Sequence, residues 1–238
     1  AARRKFLDAA LCQLRPQFPT ALAEYESVLA HKVPILQDSE EKPALLDLLD
    51  DFTLRLCRLG ALIIRYRAYY IRKLAGRAQT LHAEAAPHET LECVYHTVSS
   101  VSDPYASPAV IEAQLQSHAM NHRAAEIAAK SCLSGPHKDD LILNLGGVSA
   151  ASFASQGQAR TAALALKLAE RELFFDEDNV YPVLLLDDVL SELDRSRQDF
   201  VLNHLGQGQV IITCCEEETA ARFHAGTVFH VEKGTVSN

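Results

Sequence analysis

No apolar run in this chain approaches the roughly 18–20 residues that span a bilayer, which argues against a transmembrane helix. The opening Ala1-Ala2-Arg3-Arg4-Lys5 leads into an amphipathic pattern and lacks the apolar core of a signal peptide. Cysteine is sparse. Cys12, Cys57, Cys93, Cys132, Cys214 and Cys215 form no Cys-x-x-Cys and no metal-ligand spacing with histidine. Reduced thiols packed as small apolar groups are therefore expected, the vicinal Cys214-Cys215 pair included, in a cytoplasmic setting. Positive charge is also in short supply. Lys and Arg number 23 against 31 Asp and Glu, a net charge of −8, so any contact with nucleic acid must come from a local basic patch. No Gly-Lys dipeptide occurs anywhere, so a Gly-x-x-x-x-Gly-Lys-[Ser/Thr] phosphate loop is missing. There are no repeats and no low-complexity segment. What remains is 48% hydrophobic over 238 residues, enough for one or two domains with a real core.

The first half reads as helical. Arg3 to Leu14 forms a helix stopped by Pro16 and Pro19, and Thr20 can cap the next one. From about Pro43 to His82, Leu45, Leu49, Phe52, Leu56, Leu59, Ile63, Tyr66 and Tyr70 alternate steps of four and three. That heptad seam predicts an antiparallel hairpin or short coiled coil, locally weakened at Gly60. Thr90 to Val98 alternates and predicts a strand. Ser107-Pro108 opens a further helix to about Lys130. Beyond residue 130 the pattern turns α/β. Strands are expected at Leu141 to Leu145, closed by Gly146-Gly147, at Val183 to Leu186, at Gln209 to Thr213 and at Val228 to Val231. Helices are expected at Gln158 to Phe174 and Asp194 to Leu205. The organisation this predicts is a mostly helical lobe over residues 1–130, with a heptad arm at about 43–82 and a strand at 90–98, followed by an α/β part over 131–238.

The run Val183-Leu184-Leu185-Leu186-Asp187-Asp188 carries the clearest chemistry. An apolar strand buried in a parallel sheet and ending in two acids suits a magnesium-nucleotide site. The first acid can hold a hard cation through water, and the second can orient an attacking water. The bland alternative is a core strand whose acids cap the next loop. Upstream, Ser155-Gln156-Gly157-Gln158 precedes a long helix, where free N–H groups and the helix dipole favour an anion; the bland alternative is a plain N-cap. Between Phe52 and Ala83 lie Arg55, Arg58, Arg65, Arg67, Arg72, Lys73 and Arg77 with no Asp or Glu, a stripe able to meet phosphates or, equally, a solvated face paired with Glu24, Asp47 or Asp50. Tyr66, Tyr69 and Tyr70 offer stacking surfaces, though two of them lie on the seam. His137 and Lys138 face either DNA or nucleotide, or serve a turn.

Taken together these segments resemble the RecF family, within the ABC-type ATPases that include the SMC proteins. Gly135-Pro136-His137-Lys138-Asp139-Asp140-Leu141 is similar to that family's Gly-Pro-His-Arg-Asp-Asp-Leu, with Lys in place of Arg. Ser155 to Thr161 resembles its ABC signature, and Leu184 to Asp194 its joined Walker B and D-loop. Arg3 to Asp8 resembles the start of its helical lobe. The Asp187-Asp188 pair, where most ABC ATPases carry Asp-Glu, favours RecF over a transporter subunit.

The resemblance implies a partial ABC-type ATPase head of α/β class with a helical, coiled-coil-like second lobe. It implies ATP and Mg²⁺ as cofactors of the full-length protein, with Asp187 holding the metal through water and Asp188 placing the hydrolytic water. Ser155, Gln156, Gly157 and Gln158 would complete the ATP site of the other subunit in an ATP-dependent homodimer. Ser191, Glu192, Leu193 and Asp194 form the D-loop that couples the two sites, and Thr213 stands at the switch position. The implied partners are gapped or single-strand/double-strand junction DNA, RecO and RecR, with loading of RecA as the outcome. Full-length relatives would be weak DNA-dependent ATPases. This chain alone is expected to be inactive, because an acid pair without a phosphate cradle does not offset a triphosphate's charge. The alternatives are an SMC-type head, for which the arm is too short, and a non-hydrolysing DNA-binding or dimerisation module.

Overall fold

The computed structural model describes residues 2–39, 41–98, 100–190, 193–215 and 226–237. The chain divides into two compact units, Ala1–Arg77 with Glu92–Ala151, and Ala78–Leu91 with Ser152–Asn238.

The first unit is built on helices. α1 (Ala2–Leu14) is followed by α2 (Phe18–Gln37), which begins at Phe18 with Pro19 in its first turn and Gln17 before it. Thr20 is therefore inside the helix rather than its cap: proline is best tolerated in the first turn, where its missing N–H has no helical partner, so Pro19 starts the helix instead of delaying it. A 3₁₀ turn over Pro43–Leu48 leads into α3 (Leu49–Ala85), so the expected start at Pro43 moves to Leu49. Burial along α3 is wider than a two-position seam. Leu49, Leu56, Leu59, Ile63 and Tyr70 are buried as the heptads predict, and so are Ala61, Ile64, Ala68, Ile71 and Leu74 between them. A helix buried on that much of its circumference serves as core packing on several sides. Gly60 has a positive reason: a Cβ there would lie 3.0 Å from the ring of Pro136, which packs on the helix at that point.

α4 (Pro108–Asn121) starts as expected, with the Ser107 hydroxyl accepting from the Val110 N–H. The helical stretch breaks at His122, and α5 (Arg123–Ala129) follows, ending on Lys130 in the left-handed region. β1 (Leu91–His96) shows strict alternation of buried and exposed residues. It lies beside β2 (Asp140–Leu145), which pairs antiparallel with the short β3 (Val148–Ser149) in the sheet order β1-β2-β3. Gly146 and Gly147 both take positive φ in the two-residue turn, as a tight hairpin requires. A buried Lys32–Glu126 ion pair at 2.7 Å joins α2 to α5.

The second unit is α/β. After α6 (Ala150–Phe153), α7 (Gln156–Asp178) buries Ala162, Ala165, Leu166, Leu168, Ala169 and Leu173. β4 (Leu184–Asp187) and β5 (Val210–Thr213) run parallel, Leu184 opposite Val210 and Asp187 opposite Thr213, and α8 (Arg195–Asn203) connects them. The strand expected to be buried throughout is so only at Leu186. Leu185 is 67% exposed and its neighbour Ile211 50%, because among the described residues β4 and β5 form a two-stranded sheet with one face uncovered. A terminal hairpin pairs β6 (His230–Glu232) with β7 (Thr235–Ser237) across Lys233-Gly234.

Of the cysteines, Cys57, Cys93 and Cys132 are buried as expected, and burial pushes the thiols of Cys57 and Cys93 up to about 12. Cys214 is only half-buried and Cys215 exposed, so the vicinal pair is not core packing: the chain leaves the sheet at Thr213. No helix among the described residues is long and apolar enough to cross a membrane.

Candidate functional site

The parallel pairing of β4 with β5 brings three of the expected residues together. Thr213 Oγ1 donates to Asp187 Oδ1 at 2.6 Å and accepts the Asp188 N–H at 3.0 Å; the Thr213 carbonyl accepts the same N–H at 3.2 Å. One hydroxyl thus ties both acids to the end of the neighbouring strand. Asp187 and Asp188 are exposed at the carboxyl end of a parallel strand, where α/β sheets present their ligand sites. Asp188 has φ +51°, the left-handed region that non-glycine residues seldom occupy. Oxygen donors of this kind suit a hard cation that keeps most of its own waters. No cluster of three or more His, Cys, Asp or Glu that could hold a metal occurs among the described residues.

Ser155 is the N-cap of α7 in a complete capping box. Its hydroxyl accepts the Gln158 N–H at 3.2 Å, and Gln158 Oε1 accepts the Ser155 N–H at 2.9 Å. The cap and the anion-site readings are compatible, because the Ser155 O–H is still available to donate. Gln158 Nε2 donates to Glu89 Oε1 at 2.9 Å. Gly157 lies against Arg197, whose Nη1 would be 3.2 Å from a Cβ at that position.

Of the D-loop expectation, Ser191 and Glu192 lie outside the described residues. Leu193 is buried. Asp194 is the N-cap of α8: it accepts from the Arg197 N–H at 3.0 Å and the Ser196 hydroxyl at 3.1 Å, and pairs with Arg197 Nη1 at 2.8 Å. The backbone bond from Arg197, with these partners, holds its carboxyl below the usual range.

The basic stripe on α3 is not uniform. Arg58, Arg72 and Lys73 are exposed, and Arg65 and Arg77 half-buried. Arg55 pairs with Glu24 at 2.9 Å on the surface. Arg65 and Arg72 lie over the Tyr69 ring at 5.4 and 4.6 Å, and Arg72 also over Tyr105 at 4.9 Å. Arg67 departs from the expectation of a phosphate contact. It is 3% exposed, bidentate to Asp8 with two 2.8 Å bonds, and donates to the Pro136 carbonyl at 2.7 Å. Its helical position turns it into the unit, where it neutralises acids.

Of the tyrosines, Tyr70 is buried, while Tyr66 and Tyr69 are half-buried and pack edge-on against Phe18 and Tyr105. His137 also faces inward, with Tyr25 Oη 2.6 Å from its Nδ1. Burial, with nearby Lys138 and Arg4, lowers its pKa to about 4. Lys138 alone of that pair is exposed.

Arg197, Glu89 and His82 escaped the sequence reading, as did the capping box that joins Ser155 to Gln158. The Asp194-x-x-Arg197 spacing is a visible i,i+3 signal, and Ser155-x-x-Gln158 is a visible capping-box pattern. Glu89 and His82 carried no local signal, since their relation to Gln158 is made only by the fold.

No family model matches the chain. Among curated proteins it is 36% identical over 239 residues to the DNA replication and repair protein RecF of Agathobacter rectalis, covering 99% of this chain and 63% of that protein. It is also 36% identical over 235 residues to the protein of the same name from Clostridium tetani, again covering 63% of it. The chain therefore spans a little under two thirds of the length of these curated relatives. Two solved structures of the recombination mediator RecF in the RecFOR pathway, described as RecF-ATP and RecF-ATPrS, superpose with TM-scores of 0.85 at 30% identity, over 99% of this chain and 62% of theirs. Sequence and fold are thus both similar to RecF proteins along 99% of this chain.

Proposed function

We propose that this chain contributes the signature, metal-binding and D-loop half of the ATP site of a RecF-type recombination mediator. The observation that carries the reading is the Asp187–Thr213–Asp188 cluster at the carboxyl end of a parallel strand pair, in the same unit as the capped Ser155 turn. Asp187 would hold Mg²⁺, which supplies charge neutralisation to a triphosphate. Thr213 fixes the Asp187 carboxylate and the Asp188 backbone, and Asp188 accepts a proton from, or orients, the hydrolytic water. The Ser155 hydroxyl and the free N–H groups at the start of α7 donate to a terminal phosphate held by a second subunit. ATP then acts as glue between two copies, and hydrolysis releases them. The protein works on gapped or junction DNA with RecO and RecR to load RecA, in the cytoplasm. Arg55, Arg58, Arg65, Arg72, Lys73 and Arg77 supply the phosphate contacts on DNA, with Tyr69 held between two of the cations.

The test is made in the full-length protein. Ser155→Arg should abolish ATP-dependent dimerisation in sedimentation while the monomer still binds ATP. Asp188→Asn should keep the ATP-bound dimer and lower hydrolysis by on the order of a hundredfold, the range expected for a lost general base. ATP-dependent dimerisation of Ser155→Arg at wild-type strength sinks the proposal.

A further inference from the structure

The Gln158 amide has two ends of nearly equal shape and opposite chemistry. One must accept the Ser155 N–H for the capping box to close. The other donates to Glu89, which lies in the connection between α3 and β1 and is 69 residues away in sequence. A capping box needs only its own two residues, so this third partner is surplus to capping. An ionised carboxylate is an acceptor and never a donor, so it admits only the NH₂ end of the amide. With Glu89 in place, rotating the amide by half a turn would set two acceptors against each other and two donors against each other.

The surroundings of Glu89 argue against a role in packing alone. Its Oε2 makes no hydrogen bond among the described residues and faces His82 Nε2 at 3.6 Å, just beyond bonding reach. His82 is fully buried, and neither of its ring nitrogens has a hydrogen-bond partner among the described residues. Burial, with the nearby Arg197 charge, lowers the pKa of His82 in spite of Glu89. Stability alone would close that gap or make the pair apolar. The carboxylate is instead spent on one bond, to the signature glutamine.

We infer that Glu89 is a positioning residue for the signature turn: it locks the Gln158 amide in the orientation that closes the capping box, and thereby fixes where Ser155 presents its hydroxyl. The inference rests on the reading of Ser155 as a phosphate donor across the dimer. Because Glu89 acts through Gln158 on Ser155, its effect falls on closure of the dimer and not on capture of ATP by the monomer.

The experiment compares Glu89→Ala, Glu89→Gln, Gln158→Ala and the double Glu89→Ala/Gln158→Ala variant in the full-length protein. Each is read by ATP-dependent dimer affinity, monomer ATP affinity and nucleotide-free melting temperature. Glu89→Ala should weaken the ATP-dependent dimer on the order of tenfold, the worth of one hydrogen bond to a charged acceptor, with ATP affinity and melting temperature unchanged. Glu89→Gln retains an acceptor oxygen and should restore most of the loss. The double variant should be no weaker than Gln158→Ala, since both act through one bond. Wild-type dimerisation by Glu89→Ala, equal damage from Glu89→Gln, additive losses, or lowered melting of both Glu89 variants each overturns the inference. Failure of the site reading itself shows separately, as ATP-dependent dimerisation that survives Ser155→Arg.

Discussion

Replacing Arg67 with alanine should damage the fold far more than any other change on the basic face of α3. The Arg67 side chain is 4% exposed. Its guanidinium makes two bonds to Asp8, one to the Pro136 carbonyl, and lies 3.8 Å from Asp139, which is wholly buried. Removing it leaves the largely buried Asp8 carboxylate without this partner and takes the positive charge away from Asp139, which among the described residues keeps only the neutral donors of Tyr95, Thr97 and Val98; the Pro136 carbonyl keeps only the Asp139 N–H at 3.3 Å. Breaking a buried ion pair from one side costs about 3–5 kcal/mol. For a chain of this size that corresponds to a melting shift of roughly 10 °C.

Part of the loss should depend on pH. Burial holds the Asp139 carboxyl above its usual range even with Arg67 in place, against the pull of Tyr95 and Arg67. An acid whose folded pKa is raised contributes stability at low pH and loses it as pH climbs through that value. Without Arg67 the value rises further, so the deficit of Arg67→Ala should be smaller at pH 5 than at pH 8. Urea unfolding followed by far-UV circular dichroism at both pH values measures it. Arg58→Ala, on the exposed side, is the control and should stay within about 0.5 kcal/mol of wild type. A deficit for Arg67→Ala below about 1 kcal/mol, or one that does not grow toward pH 8, refutes the assignment of Arg67 to the buried network.

Three other outcomes follow from the same coordinates. His137 falls from 6.5 to about 4, so the neutral ring contributes stability above pH 6.5 that is lost as pH drops toward 4, up to about 3 kcal/mol; His137→Gln should flatten the urea midpoint across that window. Gly135 has φ +129° and a Cβ there would collide with the Tyr25 hydroxyl, so Gly135→Ala should cost several kcal/mol, on the order of a disrupted core contact, in the same unfolding assay. The chain by itself, with no Gly-Lys loop, should give no calorimetric ATP binding at micromolar concentration; a micromolar affinity would contradict the cradle argument.

The strand that ends in Asp187-Asp188 was legible through its apolar run, and the cap at Ser155 through a Ser placed before a long helical pattern, while the Gln158 half of the capping box went unread. β1 was legible through its period of two and the end of β2 through the glycine pair that closes it, while the two-residue β3 was too short to leave a pattern. Burial on β4 was misjudged because apolar composition reports what a strand prefers, not what covers it. Arg67 was misjudged because a charge count over α3 carries no azimuth: one cation among seven turns inward to meet Asp8, 59 positions earlier. The heptad count found the right face of α3 and underestimated its width, since Ala61, Ile64, Ala68, Ile71 and Leu74 bury off the counted steps of three and four. The Glu89–Gln158 contact was beyond reach for the same reason as Arg67, because only the fold joins the two.

Asp188 sits where the main chain would rest more easily on glycine, and the left-handed region costs an ordinary L-residue about 1 kcal/mol or more. Asp188→Gly should therefore relax the turn while erasing the carboxylate. Variants selected only for heat resistance would drift toward that loss, so under the role proposed for Asp188 thermal tolerance at residue 188 is a poor proxy for a working protein.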